Sequence, residues 1–183
     1  SLKIMDLAKH INHYSLAKLD FNDLSDEYCI AISFNKELLS TDPRNINLPN
    51  RGIVKSNITV LDNDLLSEYE DLRLENVIAE QNVFIFEKSL ANDLSPEQTN
   101  SVDFKKGCYL GQELTFKTKY IKPTKNVLVK LDNKKLQVTQ HDAPLYIDDT
   151  IIGRTLSLNS RFVLAIIKRQ YIENTKNITV GNN

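Results

Sequence analysis

The order of apolar and polar positions predicts a mixed chain. Apolar side chains at Ile4, Met5, Ala8, Ile11 and Tyr14 fall on one side of a helix over residues 3–14. Residues 17–21 (Ala-Lys-Leu-Asp-Phe) alternate as a half-buried strand does, and Asn22 to Glu27 is turn-rich. The run from Tyr28 through Cys29 to Phe34 reads as a strand buried on both faces or nearly so. A second strand-like run extends from Gly52-Ile53-Val54 through Ile58-Thr59-Val60. Residues 35–52 are otherwise irregular. There Asp42-Pro43-Arg44 reads as a rigid turn with a surface Asp–Arg pair, because proline fixes its own φ and steers the preceding residue away from helix.

Residues 64–80 predict a second helix, with Leu65, Leu66, Tyr69, Leu72 and Val77 on a broad face. Arg73 and Glu75 are two apart and do not face each other; spacing alone puts them on a solvated charged face, or aims each at a different partner. Residues 81–103 form a long connection with a weak apolar run at Val83-Phe84-Ile85-Phe86. Glu113 to Thr118 alternates again, so the segment before it is expected to feed directly into a strand. From residue 126 onward, short apolar runs at 127–129, 145–147, 151–156, 162–167 and 178–180 are separated by Asp-Asn, Asp-Asp and Asn-Ser turns. Such a succession suggests a small antiparallel barrel or sandwich. The fold class expected is α+β: an α/β portion over residues 1–118 and a β-barrel over 119–183, with the boundary near Pro123.

Composition narrows the functional classes. A net charge of −1 supplies no global basic field for nucleic acid. Hydrophobic residues at 41% suit a folded core. No apolar run approaches the roughly eighteen residues of a membrane helix. Two cysteines without a framework point to a reducing compartment. His10 and His13 lie three apart on the first helix, but no acidic or cysteine partner is placed to complete a metal site. The start shows no secretory signal and no Arg-rich presequence.

The densest chemistry lies in Lys105-Lys106-Gly107-Cys108-Tyr109-Leu110-Gly111-Gln112-Glu113. Two of the five glycines fall here, four apart, as in a loop with a required shape. Taken alone, Cys108 reads as a small buried hydrophobe. Its neighbours suggest a second reading, since the preceding lysines would favour a thiolate, the reactive form of the side chain.

The segment Lys106 to Glu113 resembles the signature K-G-C-Y-x-G-Q-E of the YgfZ-type folate-binding proteins, relatives of the glycine-cleavage aminomethyltransferase. Tyr14 to Tyr28, Asp42-Pro43-Arg44, Leu72 to Glu80, Ile151 to Arg154 and Leu164 to Ile167 are similar to further family segments. Departures occur: Ser95-Pro96 shifts the family's proline by one place, Lys117 stands nearest to a usual arginine, Lys125-Asn126 replaces a basic pair, and Val77 replaces a glycine. The resemblance implies an aminomethyltransferase-like fold with a ferredoxin-like α/β portion and a C-terminal barrel. Family members begin with roughly one more α/β portion, which builds much of the folate pocket.

For the eukaryotic branch it implies a mitochondrial matrix iron–sulfur assembly factor, made with a transit peptide and serving [4Fe–4S] proteins with A-type scaffold proteins as partners. Cys108 would be the reactive thiol and a transient shared cluster ligand. Lys106 would promote its ionisation, and Gln112 and Glu113 would anchor the loop or face the folate cleft. Gly107 and Gly111 would turn the loop, and Tyr109 would pack against the barrel. Arg73 and Glu75 would contact tetrahydrofolate. The rival the resemblance carries is a tetrahydrofolate-dependent aminomethyl transferase.

Overall fold

The structure, a computed structural model, describes residues 2–58, 62–80, 91–109 and 111–181. The run 83–86, residues 59–60 and Leu110 lie outside the described residues. The chain divides into two compact units, one of residues 1–40 with 50–61 and one of residues 41–49 with 62–183. The expected boundary near Pro123 falls inside the second.

The first unit holds helix α1 (Leu2–Tyr14) and an antiparallel pair, β1 (Tyr28–Ser33) and β2 (Asn50–Lys55), with Ile30 opposite Ile53. Two expectations change here. Residues 17–21 are irregular and exposed. Both amide atoms of the Asn12 side chain bond the backbone of Leu19, which replaces a strand partner with a local clasp. Nor is β1 buried on both faces: Ile30 is 59% exposed, because this sheet has two strands and one of its faces is uncovered.

The second unit is built on a five-stranded antiparallel sheet in the order β3 (Asn126–Asp132), β6 (Phe162–Lys168), β5 (Thr150–Leu158), β4 (Pro144–Ile147), β7 (Thr179–Val180). Among the described residues no pairing joins the edge strands β3 and β7, so the sheet does not close into a barrel. The strand buried on both faces is β6. Val163, Ala165 and Ile167 enter a cluster with Leu145, Ile152 and Leu131, while Leu164 and Ile166 enter another with Leu128 and Leu156. That split follows from the two-residue repeat of a strand. Helix α2 (Asn63–Glu75) adds Leu74 to the second cluster, and Leu94 joins it from a short 3-10 turn. Asp62 caps α2 by accepting from the backbone N–H groups of Asp64 and Leu65.

The end of α2 shows what the missing glycine does. Ile78 N–H donates to the Arg73 carbonyl and Val77 N–H to that of Leu74, the paired bonds of a Schellman stop. The residue in the left-handed position of that stop is Val77, at φ 60°. A β-branched side chain is strained there. Val77→Gly is therefore expected to be more stable than Val77→Ala, which keeps the strain and loses the packing, by about 1 kcal/mol. Urea midpoints of the two variants measure this; an alanine variant of equal or higher stability would remove the strain from the account.

Candidate functional site

Cys108 is exposed on the loop between Asp103 and Gly111. The loop is shaped from both ends. At its start the Lys105 N–H donates to Asp103 Oδ1 at 2.8 Å. At its end Gln112 N–H donates to the Tyr109 carbonyl at 3.2 Å, and Tyr109 N–H reaches Gln112 Oε1 at 3.4 Å. Gln112 thus holds the turn with both its backbone and its side chain. Gly111, at φ +85°, takes a conformation an L side chain rarely adopts. Gly107 takes no such conformation, and a Cβ there would meet nothing within 4 Å. The left-handed step of the loop rests on Gly111. The Lys106 ammonium lies 4.6 Å from the centre of the Tyr109 ring, a cation–π contact.

After Gly111 the chain forms not a strand but helix α3 (Gln112–Phe116), continued by a π-helical turn over Lys117–Ile121. The alternation from Glu113 to Thr118 covers only six residues, too few to separate a period of two from a helical one. Bonds between residues four apart decide it: Glu113 pairs with Lys117 at 2.6 Å, and the Thr118 hydroxyl donates to the Leu114 carbonyl. Asn92 fastens this helical segment by donating to the Thr115 carbonyl, and Lys119 pairs with Glu97 at 2.6 Å.

A second constellation surrounds Asp42. Asp42 is only 2% exposed, which corrects the expectation of a surface pair. Arg44 embraces it through Nε at 3.0 Å and Nη2 at 2.7 Å, and also donates to the Tyr69 hydroxyl at 2.9 Å. Tyr69 in turn donates to Glu80 Oε1 at 3.1 Å. The Asp42 carboxylate drives the Arg44 guanidinium further above its usual range, against the effect of burial. Asn100 donates to the Pro43 carbonyl at 2.7 Å, tying this turn to the strand of chain that leads into the cysteine loop.

Burial pushes the Tyr69 phenol above its usual value, and the Arg44 guanidinium partly opposes that. The folded value then lies above the unfolded one near pH 10, so the unfolded chain ionises first. The stability linked to the neutral phenol is whole below about pH 10 and is lost as the pH rises through the folded value. Absorbance titration at 295 nm should show a late tyrosine that Tyr69→Phe removes; unchanged curves would contradict this.

Arg73, expected on a solvated face, is 4% exposed. Its Nη1 donates to the Ile78 carbonyl at 2.7 Å, and Nε and Nη2 go to Glu70, with Glu80 nearby at 3.7 Å. Glu75 is exposed. Arg73 is buried with Nε, Nη1 and Nη2 each donating within the chain, while Glu75 is exposed, so this pair does not fit a folate clamp. Among the described residues no group of three or more His, Cys, Asp or Glu could hold a metal, and no helix is long and apolar enough to cross a membrane.

Known proteins bear on this arrangement. No family model matches the chain. It is 30% identical over 135 residues to a protein of Mycosarcoma maydis described as "Iron-sulfur cluster assembly factor IBA57 homolog, mitochondrial". A Dictyostelium discoideum protein of the same description is 28% identical over 134 residues. These matches cover 64% and 65% of this chain. The chain is thus similar, over about two thirds of its length, to proteins described as mitochondrial iron–sulfur cluster assembly factors. The match spans about a third of either relative's length, at 33% and 32%. In this chain the Asp42–Arg44–Tyr69–Glu80 network, buried at Asp42 and Tyr69, is not expected from the sequence. The clue was available in two segments that resemble family motifs, Asp42-Pro43-Arg44 and Leu72 to Glu80, but their contact is 36 residues apart in sequence, from Arg44 to Glu80.

Proposed function

We propose that this chain acts in iron–sulfur cluster assembly in the mitochondrial matrix, and that Cys108 is its working group. The observation that carries the reading is an exposed thiol on a loop shaped by Gly111 and Gln112, in a chain whose relatives are named for that task. The chain has two cysteines, Cys29 and Cys108, and cannot supply the four thiolates of a complete cluster site. The cluster is therefore cargo, and Cys108 offers it one thiolate while a partner holds the remainder. A-type scaffold proteins are the partners and [4Fe–4S] proteins the clients. The chain works by presenting a ligand and not by turnover. The reading takes the fold to be the aminomethyltransferase-like one, with the open five-stranded sheet standing where the family has its C-terminal barrel. Tetrahydrofolate remains the cofactor of the whole protein in this reading, bound by groups other than the Arg73–Glu75 pair.

The deciding experiment places Cys108→Ser in the complete protein, in cells that carry no other copy. Matrix and respiratory [4Fe–4S] enzyme activities should fall to the level of cells without the protein, while the variant accumulates normally. Full activity would remove the thiol from the mechanism. A companion measurement is alkylation at neutral pH. Cys108, which is exposed, should react well ahead of Cys29, which is half-buried.

A further inference from the structure

Lys119 joins segments that lie on either side of the cysteine loop. Its ammonium is 2.6 Å from Glu97, 3.8 Å from the centre of the Phe104 ring and 4.9 Å from that of Tyr120. Phe104 and Tyr120 meet edge-on, 6.1 Å apart. Glu97 and Phe104 belong to the chain that enters the loop, and Lys119 and Tyr120 to the helical chain that leaves it. These contacts close the base of the loop. Cys108 stands four residues beyond Phe104.

Both sides of the closure are themselves held. Glu97 sits in a turn where Ser101 N–H donates to the Pro96 carbonyl at 2.7 Å, and Asn100 fastens that turn to Pro43. On the other side Asn92 donates to the Thr115 carbonyl, about one helical turn before Lys119. Among the described residues, no hydrogen bond or ion pair joins residues 104–108 to chain outside 103–112. Gln112 and Gly111 set the turn at Tyr109, and the other end of the loop depends on what Lys119 grips. Lys117, which stands nearest to the family's usual arginine, closes nothing comparable. Its partner Glu113 is four residues away on the same helical segment, and the two side chains are 56% and 80% exposed. The Lys119 side chain is 22% exposed. An ammonium partly shielded from water holds a carboxylate and ring faces more firmly than one in the open.

We propose that Lys119 is a positioning residue for Cys108. By gripping Glu97 and Phe104 it fixes the base of the loop, and with it the place at which the thiol is presented. This deepens the reading that Cys108 is the working group, and rests on it.

The test follows a nitroxide label attached to Cys108 in the full chain, with Cys29→Ala leaving one thiol to label. Its electron paramagnetic resonance spectrum should be that of a restricted label. Lys119→Met, which keeps the stem and removes the charge, should shorten the label's rotational correlation time about threefold, as for a loop released to faster motion. Lys119→Arg should restore the parent spectrum, since a guanidinium can grip the same carboxylate and stack on the same ring. Melting temperatures should agree within about 3 °C, because one ion pair near the surface adds little to global stability. A label at the exposed position Lys134→Cys, with both native cysteines replaced, should not respond to Lys119→Met. Glu97→Gln, at a side chain 64% exposed, removes the same ion pair and should free the Cys108 label even if Lys119→Met fails to fold. In cells with no other copy, Lys119→Met in the complete protein should lower [4Fe–4S] enzyme activity about threefold at normal protein level, and Lys119→Arg should restore it.

A Cys108 label unmoved by Lys119→Met and Glu97→Gln overturns the proposal. So does a label freed equally at Lys134→Cys, the mark of general loosening. Cys108→Ser separates the two claims. If it keeps full enzyme activity while Lys119→Met frees the label, the hold on the loop stands and the working thiol falls. If it abolishes activity while Lys119→Met keeps the parent level, the thiol stands and the positioning role falls.

Discussion

Gly153→Ala should collapse the five-stranded sheet. Gly153 lies in β5 opposite Ile167 of β6. A Cβ at that position would run into the Ile166 carbonyl oxygen, and would stand 2.8 Å from Ile167 Cα. Both are backbone atoms of the strand that is buried on both faces, so neither can swing aside. The methyl group can be accommodated only by separating β5 from β6. That breaks pairing at the centre of the sheet and opens the clusters on either side, which hold Ile152 and Leu156. The expected loss is about 3 kcal/mol, at the upper end for overpacking. It is read from a urea melt and from near-ultraviolet dichroism. A variant as stable as the parent would mean that β5 and β6 are further apart than they are here. Gly181→Ala is the comparison: its Cβ would meet the Tyr146 ring at 2.6 Å, a side chain that can move, and its cost should be much smaller.

Asp42→Ala has an expected effect of similar size. The Asp42 side chain is 1% exposed and the Arg44 side chain 17%, so the variant leaves a largely buried guanidinium without its main counter-charge. Removing one member of such a pair costs more than the pair itself contributes, because the remaining charge is poorly solvated. Glu80 still stands 3.4 Å from Arg44, which places the cost at the low end of that range, about 3 kcal/mol. The double variant Asp42→Ala with Arg44→Met should recover much of it. A double variant as unstable as the single one would locate the effect in the Asp42 turn itself, where Arg44 N–H donates to Asp42 Oδ1 at 2.9 Å. Because Asn100 is bonded to Pro43, the single variant should also raise protease cleavage in the 103–109 loop.

The two predictions bear on function differently. Gly153 lies in the sheet that forms the larger unit's core. Asp42 lies in the network that holds the residues before the cysteine loop. A chain with Asp42→Ala should keep its sheet and place Cys108 less well, so under the role proposed for Cys108 its effect on [4Fe–4S] enzymes should exceed what its loss of stability alone produces.

Local patterns carried much of this fold. The offsets of Ile4 to Tyr14 and of Leu65 to Leu72 marked α1 and α2, and the run-and-turn rhythm after residue 126 marked all five strands of the larger sheet. Each depends on near neighbours in the chain, where the period of an element shows directly. The eight-residue stretch Lys106 to Glu113 likewise pointed to the cysteine loop and carries the resemblance to the YgfZ-type proteins. Where the pattern was short it misled: Ala17 to Phe21 and Glu113 to Thr118 alternate, yet a clasp from Asn12 governs the first and bonds between residues four apart govern the second.

The sequence by itself determined that this is an α+β chain, and it set one cysteine between two glycines among lysines, an amide and a carboxylate. Only the tertiary structure decided which face of each element is covered. It left Ile30 in the open, buried Val163 to Ile167 on both sides, and turned Asp42, Arg44 and Arg73 from surface charges into an interior network. The reason is physical. Element type follows from local backbone and side-chain preference, while burial, and with it the strength of every charge–charge contact, depends on which distant segment comes to lie above.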